Sequence, residues 1–83
     1  MMSYDKVKSA NTLLIGAKQT KKAIQQGKAH EIVIAEDAEP HITQSLIQLC
    51  RNHGVAVHYV DSMEKLGKAC GIDVSAATAA ILD

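Results

Sequence analysis

Short runs rich in branched apolar residues recur along the chain and predict the strands of a sheet. Three such runs occupy residues 12–15, 32–35 and 55–60. The second contains no polar position, which is typical of a strand covered on both faces. The alanine-rich segment 75–82 fits a strand and a helix equally well, so the pattern alone leaves its structure open.

Amphipathic stretches between these runs predict four helices. The first extends from a cap at Ser3 to about residue 10. The second covers residues 17–26 and stops at Gly27, with an apolar face and a lysine-bearing face. Alternating helices and strands indicate an α/β fold with a sheet between helices.

The two later helices have clear boundaries in the sequence. Pro40 begins the third helix at its first position, and Gly54 ends it. The apolar stripe between them faces the core. The fourth helix covers residues 63–70, and Asp61 with Glu64 resembles a capping box in front of it.

Length and composition limit the architecture and the kinds of nucleic-acid recognition. A chain of 83 residues, 47% of them hydrophobic, is expected to form one domain over residues 1–83. The core must be built from Ile, Leu, Val and Ala, because there are two Tyr and no Phe or Trp. This scarcity argues against binding single strands by rows of stacked aromatics.

No segment has the pattern of a signal peptide or a membrane span, so we expect a cytoplasmic protein without a membrane partner. Cys50 and Cys70 lack C-x-x-C spacing, which argues against a disulfide scaffold and against zinc. We expect both to be small buried hydrophobes. The four histidines have no metal-ligand spacing, and neither a metal nor a cofactor is predicted.

The charges are distributed unevenly although they cancel over the whole chain. Residues 1–30 contain six lysines and one aspartate, a balance of +5, whereas the remainder carries three basic and eight acidic residues, a balance of −5. Such asymmetry concentrates attraction for an anion on one patch, while the neutral total weakens indiscriminate binding to polyanions. A partner of defined shape and negative charge fits this pattern.

The most informative local feature is a strand, then Gly16, then a helix whose first turns carry four polar residues: Lys18, Gln19, Lys21 and Lys22. A helix N-terminus presents unpaired N–H groups and a positive dipole end, which attract phosphate. A lysine-rich face can also be merely solvated. The sequence has neither G-x-x-x-x-G-K-[ST] nor G-x-G-x-x-G, so it lacks the nucleotide-binding fingerprints.

Catalytic interpretations are weaker. Cys50 and His53 are the one adjacent nucleophile and base, but the thiol falls on the apolar stripe of its helix and is expected to be inert. Glu36, Asp37 and Glu39 follow a strand end, where capping of the Pro40 helix explains them more simply than paired-carboxylate catalysis. No catalytic residue is predicted.

Four ordered blocks resemble the kink-turn RNA-binding ribosomal-protein family of the L-seven-Ae type, in its bacterial ribosomal-protein-like branch. They are GAKQTKKAI at 16–24, QGKA at 26–29, IAEDAEP at 34–40 and LGKACG at 66–71. The resemblance implies a three-layer α-β-α sandwich around a four-stranded mixed sheet, with residues 75–82 as a strand. It also implies a kink-turn RNA partner, in which a short bulge beside sheared G·A pairs bends two stems sharply.

The resemblance implies an RNA-binding role for three groups of residues. The recognition helix begins at Gly16 and enters the widened major groove of the RNA. This helix, together with one lysine of the second block, would supply the first group of contacts: Gly16, Ala17, Lys18, Gln19, Lys22 and Lys28. Glu39 would be the acidic contact, and Ile72-Asp73-Val74 would be the loop over the extruded nucleotide. The apolar residues of this loop have no evident place in the core, so we expect them to be exposed.

The sequence departs from many members at one pair of positions, Lys18-Gln19, where those members carry Asn-Glu. A Lys-Gln-Thr version is similar to another ribosomal branch. The Gln19 amide oxygen can still accept a hydrogen bond from a guanine amino group, and Lys18 shifts affinity toward phosphate.

These features predict a non-enzymatic, monomeric RNA-binding protein that stabilises the bent RNA, either free in the cytoplasm or on the ribosome. Two alternatives stand beside it. One is a protein-interaction module of the same fold that does not use RNA, and the other is a small enzyme with Cys50 as nucleophile. The lysine-bearing Gly16 helix argues against the first, and the core position of the thiol argues against the second.

Overall fold

The computed structural model describes residues 4–83 as four helices and four strands in an alternating order. The elements are α1 (Tyr4–Ser9), β1 (Leu13–Ile15), α2 (Ala17–Gln25), β2 (Glu31–Ala35), α3 (Pro40–His53), β3 (Ala56–Val60), α4 (Met63–Ala69) and β4 (Thr78–Ile81). The predicted boundaries agree to within one residue, except that the strand predicted at 75–82 begins three residues later, at Thr78. The predicted cap at Ser3 lies outside the described residues.

The strands form one mixed sheet in the order β1-β4-β2-β3. β2 and β3 are parallel, while β4 is antiparallel to both of its neighbours. The alanine-rich segment therefore contains a strand, β4, which lies between β1 and β2, and all four residues of β4 are buried. Small side chains suit this position because helices cover both faces, which also removes the polar alternation that would have revealed a strand in the sequence.

Successive residues of β2 point into two separate cores, as the period of a strand requires. Val33 and Ala35 pack with α1 and α4 through Val7 and Leu66. Ile32 and Ile34 pack on the other side of the sheet with the apolar faces of α2 and α3: Ala23, Ile24, Leu46 and Cys50. The expected three-layer α-β-α sandwich is confirmed.

The start of α4 differs from the predicted capping box. Ser62 is the N-cap, and its hydroxyl accepts a hydrogen bond from the backbone N–H of Lys65 at 3.2 Å. Asp61 instead accepts a hydrogen bond from the hydroxyl of Tyr4, which ties α1 to α4. A serine hydroxyl caps as well as a carboxylate does, so tertiary contacts decided which residue took the position.

None of the helices within residues 4–83 is both long enough and apolar enough to cross a bilayer.

Candidate nucleic-acid interface

Gly16 joins β1 to α2 in a conformation that favours glycine. Its φ is 103° and its ψ 156°, and its N–H donates to the carbonyl oxygen of Thr78 at 3.0 Å. A Cβ on Gly16 would meet no atom within 4 Å, so the backbone angle, and not space, is what calls for glycine. The bond to Thr78 fixes the start of α2 beside the start of β4.

The N-terminus of α2 is open to a ligand. No side chain of the described residues caps it, and its first turn contains no acidic residue. The backbone N–H groups of Ala17, Lys18 and Gln19 have no acceptor within residues 4–83. Lys18 and Gln19 are exposed and Ala17 is half-buried. The positive end of the helix dipole is therefore uncompensated by the protein.

The lysines on and after α2 differ from several others in the protein. Across the described part of the chain, no carboxylate lies within ion-pair distance of any of these four exposed cations: Lys18, Lys21, Lys22 and Lys28. By contrast, Lys6, Lys65 and Lys68 each have a carboxylate oxygen 3.0–3.6 Å away. The positive charge around α2 is thus left for an external anion.

One buried polar side chain lies on the inner face of α2. Thr20 is completely buried, and its hydroxyl oxygen has no hydrogen-bond partner within residues 4–83. Thr20 shares the buried face of α2 with Ala23 and Ile24. A buried hydroxyl without a partner opposes folding, at a cost of about 1–3 kcal/mol.

The acidic residues before α3 do not cap it through their side chains, contrary to the sequence interpretation. Glu39 occupies the N-cap position, but its exposed carboxylate accepts no hydrogen bond from the helix. Asp37 accepts a bond from the backbone N–H of Met63 at 2.8 Å and so serves α4. Glu36 is exposed. The Glu39 carboxylate remains available to accept from an external donor.

The loop after α4 presents one apolar side chain and not two. Val74 is 70% exposed, whereas Ile72 is half-buried and packs against the core beside α1 and α4. The expectation that Ile72 would be exposed is wrong, because its N–H donates to the carbonyl of Gly67 at 3.1 Å and the loop folds back over α4. Asp73 is exposed between them.

Most of the predicted residues gather at one edge of the sheet. Gly16 follows β1, Glu39 follows β2, and residues 72–74 precede β4, whose antiparallel direction brings its start to the same edge. Lys28 follows the C-terminus of α2, about 13 Å along the helix axis from Gly16, and is not brought to this edge.

The structure adds one residue that the sequence reasoning left out, His41, and places it beside Lys21. Both line a groove of about 300 Å³ between α2 and α3, next to Ala17 and Lys18. The three-residue spacing of Lys18 and Lys21 places both on one helix face, as the sequence indicated. Nothing local in the sequence brings His41 to them, because α2 and α3 become neighbours only by packing on the same face of the sheet.

The alternative of Cys50 as a nucleophile is not supported by its surroundings. Cys50 is fully buried among apolar side chains, and burial raises the pKa of its thiol. His53 is exposed at the last turn of α3. Reactive thiols need access to solvent and a stabilised thiolate.

Cys70 is half-buried, whereas the sequence predicted that it would be buried. No group of three metal-ligating side chains occurs in the part of the chain that the structure describes.

Proteins of similar sequence and a solved structure of similar fold are known. An "RNA-binding protein" of Bacillus pumilus (strain SAFR-032) is 53% identical over 81 residues, 98% of this chain and 99% of that protein. The "Large ribosomal subunit protein eL8" of Nitrosopumilus maritimus (strain SCM1) is 46% identical over 69 residues, 82% of this chain and 54% of that protein. The solved structure of the "Giardia lamblia 15.5kD RNA binding protein" superposes with a TM-score of 0.85 at 31% identity, covering 96% of this chain and 68% of that one.

The match to a family profile covers almost the whole chain. The profile described as "Ribosomal protein L7Ae/L30e/S12e/Gadd45 family" matches residues 2–83. This span includes the start of α2, the β2–α3 junction and the loop after α4. With this coverage, and with relatives about half identical along their full length, the chain belongs to the ribosomal protein L7Ae/L30e/S12e/Gadd45 family.

Proposed function

We propose that this protein binds RNA and recognises the kink-turn, and that it stabilises the bent form over the extended one. Family membership and the names of the relatives support RNA binding. The observation that carries the proposal is the open N-terminus of α2, with three unbonded backbone N–H groups and four lysines that have no carboxylate partner within residues 4–83.

Regular A-form RNA has a major groove too narrow and deep for side chains to read, so a distorted element suits a helix end of this kind. The N-terminus of α2 enters the groove that the sheared G·A pairs widen. Gln19 accepts from or donates to a base edge, while Lys18 and Lys22 meet phosphates. Glu39 accepts from an exocyclic amino group.

The remaining contact is apolar. Val74 covers the face of the extruded nucleotide, and Asp73 beside it repels phosphate, so that the loop meets a base and not the backbone. Stacking or apolar contact with a splayed-out base is the usual way to recognise an unpaired nucleotide in RNA. Because these contacts exist together in the bent RNA alone, binding shifts the RNA toward the bent state.

The proposal also covers the assembly of the protein and its place of action. The chain acts as one domain and as a monomer in the cytoplasm, where its RNA is ribosomal or regulatory and the ribosome is one place of action. It forms and breaks no covalent bond.

An electrophoretic shift assay with matched RNAs tests the proposal. One RNA carries a kink-turn, and the control is the same RNA with its sheared G·A pairs replaced by Watson–Crick pairs. We expect selective binding to the first at a fixed salt concentration. Equal affinity for both RNAs would refute kink-turn recognition, and no affinity for either would favour the protein-interaction alternative.

A further inference from the structure

A second basic surface lies on the other side of the sheet from α2 and α3. Three lysines from α1 and α4 converge on an open groove of about 360 Å³: Lys8, Lys65 and Lys68. Tyr4 and Ala69 complete its lining. The surface belongs to neither the start of α2 nor the groove beside it, since α1 and α4 pack on the opposite core.

The three lysines are available to an external anion. Lys8 has no ion-pair partner within residues 4–83. Lys65 lies 3.4 Å from Asp61 and Lys68 lies 3.6 Å from Glu64, in pairs whose side chains are 45–75% exposed. Exposed pairs of this type contribute less than about 1 kcal/mol, so a phosphate with several negative oxygens can displace the carboxylates.

The lining indicates which part of a nucleic acid fits. The hydroxyl of Tyr4 already donates to Asp61 and accepts from the N–H of Ser62 at 3.2 Å. The lining that residues 4–83 give this groove contains no Asn, Gln or Arg, the side chains that most often read base edges. Lysines act as point charges toward phosphate, so the groove suits a phosphodiester backbone irrespective of sequence.

The groove is continuous with the loop assigned to the extruded nucleotide. Lys68 lines both this groove and a smaller cavity of about 210 Å³ formed with Glu64 and residues 72–75. Lys68 therefore connects the loop that carries the exposed Val74 to the groove lined by Lys65 and Lys8. A nucleic-acid strand that leaves the loop past Lys68 meets these cations next.

We propose that the α1–α4 groove binds the phosphodiester backbone of one RNA stem where that stem continues beyond the kink. The inference rests on the proposed function and deepens it, because it gives the protein a second, sequence-independent contact with the same RNA. The two contacts differ in what they require. The start of α2 needs the distorted pairs, and the groove needs a stem of sufficient length.

RNA length separates the two contacts. The affinity of the full chain is measured for a kink-turn with two short stems and for two RNAs in which one stem or the other is lengthened by regular pairs. Lengthening one of the two stems is expected to strengthen binding and to steepen the dependence of log affinity on log salt. Each phosphate contact contributes about 0.9 to that slope, so three contacts give somewhat under 3.

The variant that tests the groove replaces the two lysines that do not border the loop, as Lys8→Gln and Lys65→Gln. It is expected to bind the short RNA as wild type does and to lose most of the gain in affinity and most of the added slope on the longer RNA. Arg51→Gln is the control, since Arg51 is an exposed cation about 16 Å along α3 from Pro40. Arg51→Gln should leave the affinity for the short and the longer RNA unchanged.

The outcomes distinguish this inference from the proposed function. If wild type prefers the short kink-turn to its Watson–Crick control but gains nothing from either longer stem, the groove assignment is overturned and kink-turn recognition stands. The same holds if the variant with Lys8→Gln and Lys65→Gln, folded by circular dichroism, keeps the full gain. If wild type lacks kink-turn preference, both proposals are overturned.

Discussion

The carbonyl group of Val74 lies directly over the Cα of Gly67, where no side chain could fit. A Cβ built on Gly67 would stand 3.0 Å from the carbonyl carbon of Val74 and 3.3 Å from the Cα of Ser75, and closer still to the Val74 oxygen. Gly67 is buried and lies within α4 without a positive φ, so glycine is needed here for the close approach of the loop and not for an unusual backbone angle. The loop therefore descends onto α4 here, which leaves the Val74 side chain pointing to solvent.

Gly67→Ala is expected to destabilise the fold even though alanine favours helices. In an exposed helix interior the change would stabilise by up to about 1 kcal/mol, but overpacking against the loop backbone should cost about 1–3 kcal/mol. Urea unfolding measures the balance, with Lys68→Ala as a neighbouring exposed control. An increase in the free energy of unfolding of Gly67→Ala would show that the loop is not held against this glycine.

Gln19→Ala and Lys22→Ala are each expected to weaken kink-turn binding by about 1–3 kcal/mol, as for loss of a base or charged contact. Both residues are exposed on α2, so circular dichroism should stay unchanged. Gln25→Ala is the control, because Gln25 is exposed on the last turn of the same helix. Normal affinity in both variants would contradict the assignment of α2 as the recognition helix.

Val74→Ala is expected to lower RNA affinity equally at every salt concentration. An apolar contact releases no counterions, so the slope of log affinity against log salt should match wild type, whereas Lys22→Ala should flatten it by about 0.9. Val74 alone is the clean test, since Ile72→Ala would also remove core packing. The capping role fails if Val74→Ala binds as wild type does or alters the slope.

Thr20→Val is expected to stabilise the protein by about 1 kcal/mol, because a methyl group replaces a buried hydroxyl that has no partner among the described residues. Thr78→Val is the matched control. Thr78 is equally buried, but its hydroxyl donates to the carbonyl of Val33 at 2.8 Å, so this variant should lose about 1 kcal/mol. Denaturant unfolding measures both, and a loss of stability in Thr20→Val would mean that its hydroxyl is satisfied.

Glu31→Gln is expected to destabilise the fold near neutral pH by less than about 1 kcal/mol. Hydrogen bonds from Lys6 at 3.0 Å and from His58 at 2.8 Å hold the pKa of Glu31 below its ordinary value of 4.5. A lowered folded-state pKa adds stability that is fully present above 4.5 and is lost as pH falls through the folded value.

The difference in stability between wild type and Glu31→Gln should therefore shrink toward zero in acid, as followed by urea unfolding at a series of pH values. Glu64→Gln is the control, because the Lys68–Glu64 pair has both side chains 75% exposed. A difference that stays constant, or grows, below pH 4.5 would show that the carboxylate of Glu31 is not stabilised by these partners.

Local patterns in the sequence determined the positions of most elements and the location of the candidate interface. The apolar run 32–35, the stop at Gly54 and the strand–Gly16–helix junction each depend on neighbours within a turn or a strand, and each was predicted correctly. The alternation of elements indicated a sheet between helices, and the resemblance, itself a matter of ordered sequence blocks, added that this sheet is mixed and has four strands. It also predicted the strand at 75–82, which the hydrophobic periodicity alone did not distinguish from a helix.

The tertiary structure decided what depends on contacts between distant segments. Three features follow from how α4 and α2 pack: the partial burial of Ile72, the use of Ser62 in place of Asp61 as a cap, and a Thr20 hydroxyl without a partner among the described residues. So does the convergence of Lys8 with Lys65 and Lys68, which lie 57 and 60 residues later in the chain. Sequence periodicity reports which face of an element is apolar, but only the packed sheet determines which faces meet.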